Sequence, residues 1–305
     1  MPDATPSAVP HEYELVDAGD GRRLERFGPR LVDRPAATAL DARRAPGEWQ
    51  AAGLRFEPGD GWQGAEAALE PWLVTLEGLT LELRPTASGG VGLYPEHAAN
   101  LAWLPEQVRA RAGAESGGQP AVLNLFAHTG LATLAATRAG AAVAHVDAAR
   151  SAVAWARRNA ELSSLADRPI RWLVDDAMSF VAREARRGRR YDGFVLDPPS
   201  FGRAGARQWR LADELPSLLA ACRALATDDA FLLLTAHTAG LDGHDLRQAL
   251  RFSFAVRREA ALEVVPQELV ATSGARLELG WAVRLGSDLA RRSESASNST
   301  AHRSF

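Results

Sequence analysis

The feature that most constrains this chain is an alternation that starts near Ala121 and runs to Phe252. Short apolar runs at Ala121–Phe126, Ala142–Val146, Ile170–Val174, Gly193–Leu196 and Ala230–Thr235 read as strands buried on both faces. Between and after them lie stretches with helical spacing: 130–139, 149–162, 177–187, 212–226 and 241–252. Parallel strands joined by right-handed helical crossovers place helices on both faces of one sheet. The final apolar runs, Ala261–Val265 and Leu277–Arg284, have no helix between them and predict an antiparallel edge. The expected fold is α/β: a Rossmann-like, doubly wound, mostly parallel seven-stranded sheet, preceded by a β-rich amino-terminal extension.

That extension spans 13–114. Tyr13–Val16 and Arg23–Phe27 read as strands around a turn at Asp17–Gly21, and Trp72–Leu76 with Leu79–Leu83 as a hairpin across Glu77–Gly78. The span 35–50 shows no clear period. Gly92–Leu104 (GLYPEHAANLAWL) leads into a helix ending near Ala112, and ESGGQ at 115–119 marks the entrance to the α/β domain, 115–286. Residues 1–12 are Pro-rich and 287–305 Ser-rich; both are expected to be disordered.

Bulk chemistry narrows the function classes. The formal net charge of −3 argues against a uniformly basic nucleic-acid binder, though a local basic patch at 183–190 (REARRGRR) can hide within it. One cysteine excludes an intrachain disulfide, a cysteine-rich zinc site and an iron–sulfur cluster, and no metal is expected. No apolar run reaches membrane-spanning length, and the first residues lack the plan of a signal peptide, so a cytoplasmic protein without membrane contact is expected.

Chemistry-bearing residues fall at successive strand ends. After the first strand of the alternation, FAHTG (126–130) ends on a glycine that opens a helix; the turn either lets a ligand approach the helix N-terminus or is a plain connection. A G-x-G-x-x-G dinucleotide fingerprint and a P-loop are both absent. Asp147 ends the second strand, where an acid accepts both hydroxyls of a ribose or caps the following helix. Asp175 and Asp176 end the third; one suits an adenine amino group and the other a helix cap. After the fourth strand comes LDPPSFGR (196–203), a stiff corner in which Pro198 pushes Asp197 to an extended conformation.

These motifs (VLNLFAHTG, HVDAARSAVAWARRNA, DDAMSF and LDPPSFGR) resemble the class I S-adenosylmethionine-dependent methyltransferases. GLYPEHAANLAWL is similar to the stretch before the cofactor loop in the branch of bacterial 23S ribosomal-RNA methyltransferases of the cytosine-C5 and guanine-N7 type. The resemblance implies S-adenosylmethionine as cofactor. It implies Phe126, Ala127, His128, Thr129 and Gly130 around the methionine part, Asp147 on the ribose and Asp176 on the adenine edge. It also implies that Asp197, with Pro198 and Pro199, borders the methyl group as the catalytic corner. Two positions depart from the pattern: Asn124 stands where an acid is frequent, and His128 where a tyrosine is common.

Methylation at pyrimidine C5 needs a nucleophile that adds to the ring, ordinarily a cysteine thiolate. The region where relatives place it reads LLTAHTAG (233–240), with His237 and Thr238 but no cysteine. Cys222 sits among leucines at helical spacing and reads as core. Transfer to a nitrogen needs no adduct, so the expected activity is methylation of an RNA base, ribosomal by resemblance, at a nitrogen. Phe201, His237 and Arg203 are the candidate substrate contacts. Methylation of a small molecule or protein is the alternative, as is a cofactor- or RNA-binding module without turnover.

Overall fold

The computed structural model describes residues 13–113, 118–204, 207–254 and 262–286. The segments expected to be disordered, 1–12 and 287–305, lie outside them. Contacts divide the chain after Glu96 into two units, with Glu268–Glu278 joining the first. The entrance expected at 115–119 therefore falls inside the second unit, and the helix ending at Ala112 belongs to the α/β part.

The first unit contains β1 (Tyr13–Gly19), β2 (Arg22–Phe27), β3 (Arg30–Pro35), β4 (Leu54–Glu57) and β5 (Gly61–Gly64). They form one sheet in sequential order, with β3 and β4 parallel and the other neighbours antiparallel. A single-turn helix, α1 (Glu66–Leu69), precedes the hairpin of β6 (Trp72–Leu76) and β7 (Leu79–Leu83). The hairpin register matches the sequence reading: Glu77 and Gly78 both take positive φ, as a tight two-residue turn requires. Asp17, read as part of a turn, is instead a buried strand residue. Its carboxylate accepts from Trp49 Nε1, Ala45 N and Ser273 Oγ, so a polar side chain is satisfied inside the sheet layer. The strand β3 escapes the sequence reading because charge fills buried positions on it, and β4 and β5 because they are only four residues long. Arg34 donates twice to the buried Glu25, and Arg22 pairs with Asp33.

The second unit begins with α2 (Ala98–Ala112) and then alternates: β8 (Ala121–Leu125), α3 (Leu131–Arg138), β9 (Ala142–Asp147), α4 (Arg150–Leu162), β10 (Ile170–Val174) and α5 (Ala177–Arg186). Next come β11 (Tyr191–Leu196), the short strands β12 (Phe201–Ala204) and β13 (Arg207–Arg210), α6 (Leu211–Leu225), β14 (Ala226–Ala236) and α7 (Gly243–Ser253). The strands β15 (Leu262–Val270) and β16 (Arg276–Leu285) close the order. The sheet runs β10-β9-β8-β11-β14-β16-β15, parallel from β10 to β14, with β16 antiparallel to β14. This is the seven-stranded sheet with an antiparallel edge that the alternation predicts.

The strand order reverses between β8 and β11, and at such a switch point a crevice opens beyond the carboxyl ends of the strands. Leu123, Leu125, Phe194, Leu196, Leu232 and Leu234 are fully buried and hold these central strands in the core. Gly193 has a packing reason: a Cβ there would lie 2.1 Å from the ring of Phe231, its register partner on β14. The helix α2 is tied to the sheet by Arg284, whose guanidinium donates to Asn100 Oδ1 at 3.1 and 2.8 Å and to Ala99 O at 2.8 Å. At the other end of the same helix, Arg111 holds Asp192, whose second oxygen accepts from Ala121 N at 2.9 Å. Asp192 thereby fixes the starts of β8 and β11, the two strands that flank the crevice.

Candidate active site

The turn after β8 is built from left-handed backbone. Phe126, His128 and Gly130 have φ of 57°, 45° and 91°. Two of these are not glycine, so the conformation costs free energy and persists only where neighbours enforce it. Those neighbours are visible. Ala127 N donates to Val146 O, Gly130 N to Ala127 O, and Asn159 Nδ2 on α4 to Thr129 O. Gly130 is required twice over, by its φ and because a Cβ would stand 3.0 Å from Ala156 Cβ. The turn then delivers its N–H groups to the start of α3, the polar end of a helix.

Asp147 closes this turn from the end of β9. Its Oδ2 accepts from His128 N and its Oδ1 from Ala149 N, both at 2.8 Å. The two readings of Asp147 are thus not exclusive: the carboxylate satisfies the helix entrance, and its remaining lone pairs can accept from a diol. Asp176 is the N-cap of α5, its Oδ1 accepting from Ser179 N at 2.8 Å. Asp175 pairs with Arg183, so of the two acids it is Asp176 that keeps a carboxylate oxygen clear of an ion pair.

Asn124, at the position where an acid is frequent, is buried. Its Nδ2 donates to Thr133 Oγ1 at 2.9 Å, and that hydroxyl meets His145 Nδ1 at 2.9 Å. This chain of hydrogen bonds ties β8, α3 and β9 together beneath the turn. Burial holds His145 neutral, with its pKa pushed down to about 3, and burial likewise lowers His128.

Beyond β11, the corner 197–199 is braced from three sides. Thr235 Oγ1 donates to Asp197 Oδ1 at 2.5 Å, Trp209 Nε1 donates to Pro199 O at 2.8 Å, and Ser200 Oγ meets Thr238 Oγ1 at 2.7 Å. Trp209, on the short β12–β13 hairpin, also packs on Phe126 with ring centroids 5.2 Å apart. Asp197 stands between two imidazoles: His97 Nε2 lies 3.3 Å from Oδ2, and His237 Nε2 lies 3.5 Å from Oδ1. Burial alone would raise the Asp197 carboxyl, but the two histidines overrule it and hold the group well below the ordinary carboxylate range. Phe201 is 70% exposed, with the Arg210 guanidinium over its ring. The side chain of Arg203 lies outside the described residues.

The structure therefore gathers Phe126–Gly130, Asp147, Asp176 and Asp197 along successive strand ends of one sheet edge, and brings His237 to Asp197. It adds His97, which the sequence reading passed over. His97 follows Pro95–Glu96 in the quoted GLYPEHAANLAWL stretch, and a histidine at the mouth of a helix was the available signal. Cys222 is fully buried on α6, and burial pushes its thiol pKa up. Three of the five arginines in the basic run bond within the unit: Arg183 to Asp175, Arg187 to Glu184 and Arg190 to Ala224 O.

No family model matches the chain. The crystal structure of a S-adenosylmethionine-dependent methyltransferase from Agrobacterium tumefaciens is 35% identical to it, covers 90% of both chains and superposes with a TM-score of 0.82. The chain belongs to the S-adenosylmethionine-dependent methyltransferases. A further solved structure, obtained with S-adenosylhomocysteine, shares the fold at 16% identity, TM-score 0.69, over 91% of this chain and 76% of its own. Among curated proteins, ribosomal RNA large subunit methyltransferase K/L of Allochromatium vinosum is 37% identical over 36% of this chain. Ribosomal RNA large subunit methyltransferase K of Neisseria meningitidis is 32% identical over the same share, and methyltransferase I of Aeromonas salmonicida 34% over 33%. The matches span only 14%, 29% and 24% of those three proteins.

S-adenosylmethionine is this methyltransferase's cofactor, and the residues present suit it. A diol is a double donor and an adenine amino group a donor; Asp147 and Asp176 are ionisable acceptors whose orientation is already set by backbone N–H groups. The crevice at the switch point is where such a ligand lies in a doubly wound sheet.

Proposed function

We propose that this methyltransferase transfers the methyl group to a nitrogen of an RNA base, ribosomal in kind, without a covalent adduct. The observation that carries the reading is the corner itself: an anionic Asp197 held rigid beside an exposed aromatic, with no thiol nearby. Bound S-adenosylmethionine supplies an electrophilic methyl on a sulfonium, so the protein's task is alignment. Asp147 would hold the ribose, Asp176 the adenine edge, and the 126–130 turn the amino-acid part. Asp197, with the carbonyls of the Pro198–Pro199 corner, would accept N–H bonds from an exocyclic amine and so turn its lone pair toward the methyl. Phe201 would stack on the base, a contact that tolerates any base face. The buried Cys222 supports the absence of a ring adduct. The names of the curated relatives support ribosomal RNA as the acceptor.

A second reading is supported by the internal pairing of the basic run: a smaller acceptor, small molecule or protein, that needs no phosphate contacts. One measurement separates them. Nucleosides of ribosomal RNA from a strain lacking the protein, analysed by mass spectrometry, should lose one methylated nucleoside that returns when the purified protein and cofactor are added. An unchanged nucleoside profile overturns the RNA reading.

A further inference from the structure

We propose that His97, Asp197 and His237 form a binding site for a divalent transition-metal ion. The three residues are far apart in sequence, at the start of α2 and the ends of β11 and β14, and they converge at the corner. One ligand atom from each lies within 4.8 Å of the other two. Three such atoms share a centre no more than about 2.8 Å away, against roughly 2.1 Å for a finished metal–nitrogen or metal–oxygen bond. Small side-chain rotations close that gap. The Nε2-to-oxygen separations of 3.3 and 3.5 Å already approach those of two ligands on one ion.

The orientation of His237 carries the argument further. Its Nδ1 lies 2.5 Å from Leu279 O, and a carbonyl can only accept, so Nδ1 bears the hydrogen. The ring atom turned toward the Asp197 carboxylate is Nε2, 3.5 Å from Oδ1. A histidine whose other ring N–H donates to a backbone carbonyl is the usual outer arrangement of a metal ligand. Thr235 Oγ1 plays the same part for Asp197. Two imidazoles and one carboxylate select zinc, iron(II), cobalt or nickel over calcium and magnesium, which prefer all-oxygen sets.

The side chains of His97, Asp197 and His237 are 17%, 29% and 31% exposed, which gives an ion an entry path and leaves positions for water or a ligand heteroatom. An ion here uses the Asp197 lone pairs that an acceptor amine would use, so metal and amine exclude one another at this carboxylate. The site stands whether or not the acceptor is RNA.

The test uses the full chain, stripped with chelator and titrated with cobalt(II) alone. Visible d–d absorption and equilibrium dialysis should report one ion per chain. His97→Ala and His237→Ala should each weaken binding by more than about tenfold, the least that loss of even an outer partner costs. His244→Ala, on the exposed face of α7, should leave it intact. If His237→Ala fails to fold, His97→Ala with the same titration decides alone. Absence of a d–d band in the wild type overturns the proposal, as does stoichiometric binding that persists in the His97→Ala variant.

Discussion

Replacing Asp147 by alanine tests the cofactor site where its geometry is most explicit. The substitution removes the acceptor for His128 N–H and Ala149 N–H, each at 2.8 Å. The Ala149 group is exposed and rehydrates at little cost. The His128 group is part-buried, and leaving it unsatisfied costs about 1–3 kcal/mol, at a residue already held at positive φ. On the proposed assignment, the cofactor would also lose a carboxylate acceptor for its ribose hydroxyls. One hydrogen bond to a charged group contributes about 1.5–3 kcal/mol, which is roughly 10- to 150-fold in affinity. Loosening of the 126–130 turn adds to this, so S-adenosylhomocysteine should bind on the order of 100-fold more weakly. Calorimetric titration of purified wild type and variant measures it, with circular dichroism to verify the fold. Asp175→Ala is the matched control, because that carboxylate is committed to Arg183 and its loss should leave cofactor affinity unchanged. Undiminished binding by a folded Asp147→Ala protein would refute the assignment of this strand end to the ribose.

Further outcomes follow from the same geometry. Phe201→Ala should lower affinity for RNA by about 1–3 kcal/mol while cofactor binding holds, since the ring is exposed; equal loss for both ligands counts against stacking. Cys222→Ala should cost ~1 kcal/mol or more of stability through a small core cavity and leave methyl transfer intact; a folded but inactive variant would restore the thiol as a nucleophile. Stability should fall as pH drops below about 6.5, where the unfolded chain protonates histidines that the fold keeps neutral. The loss is at most ~1.4 kcal/mol per pH unit for each such histidine, and for His145 it continues down to about pH 3. Urea midpoints that stay flat from neutral pH to about 5 would contradict it.

Much of the α/β unit was legible because its central strands are buried on both faces and its helices on one, so hydrophobic period alone marks them. The first unit was only half legible. Its strand β3 buries Asp33 and Arg34, and a pattern reader sees charge as surface; β4 and β5 are four residues each, too short to show a period. The β12–β13 hairpin was missed for a related reason: its residues follow two prolines and read as loop, yet it carries the tryptophan that braces the corner. The helix α2 groups with the α/β unit because Arg284 and Asp192 bind it to the sheet, contacts that no local sequence signal announces.

Within the site, local sequence determined what is local: the glycine that opens α3, the acids at strand ends and the stiffness of Asp-Pro-Pro. Strand alternation determined that these would lie on one edge, because every parallel strand ends on the same side of the sheet. What only the tertiary structure decided was which groups meet. Asn124 turned inward to Thr133 and His145, whereas His97 and His237, from opposite ends of the α/β unit's sequence, closed on Asp197. The physical reason is range. Hydrogen-bond and backbone preferences act over a few residues and can be read in order, but a carboxylate's charge environment is set by whatever the fold packs against it.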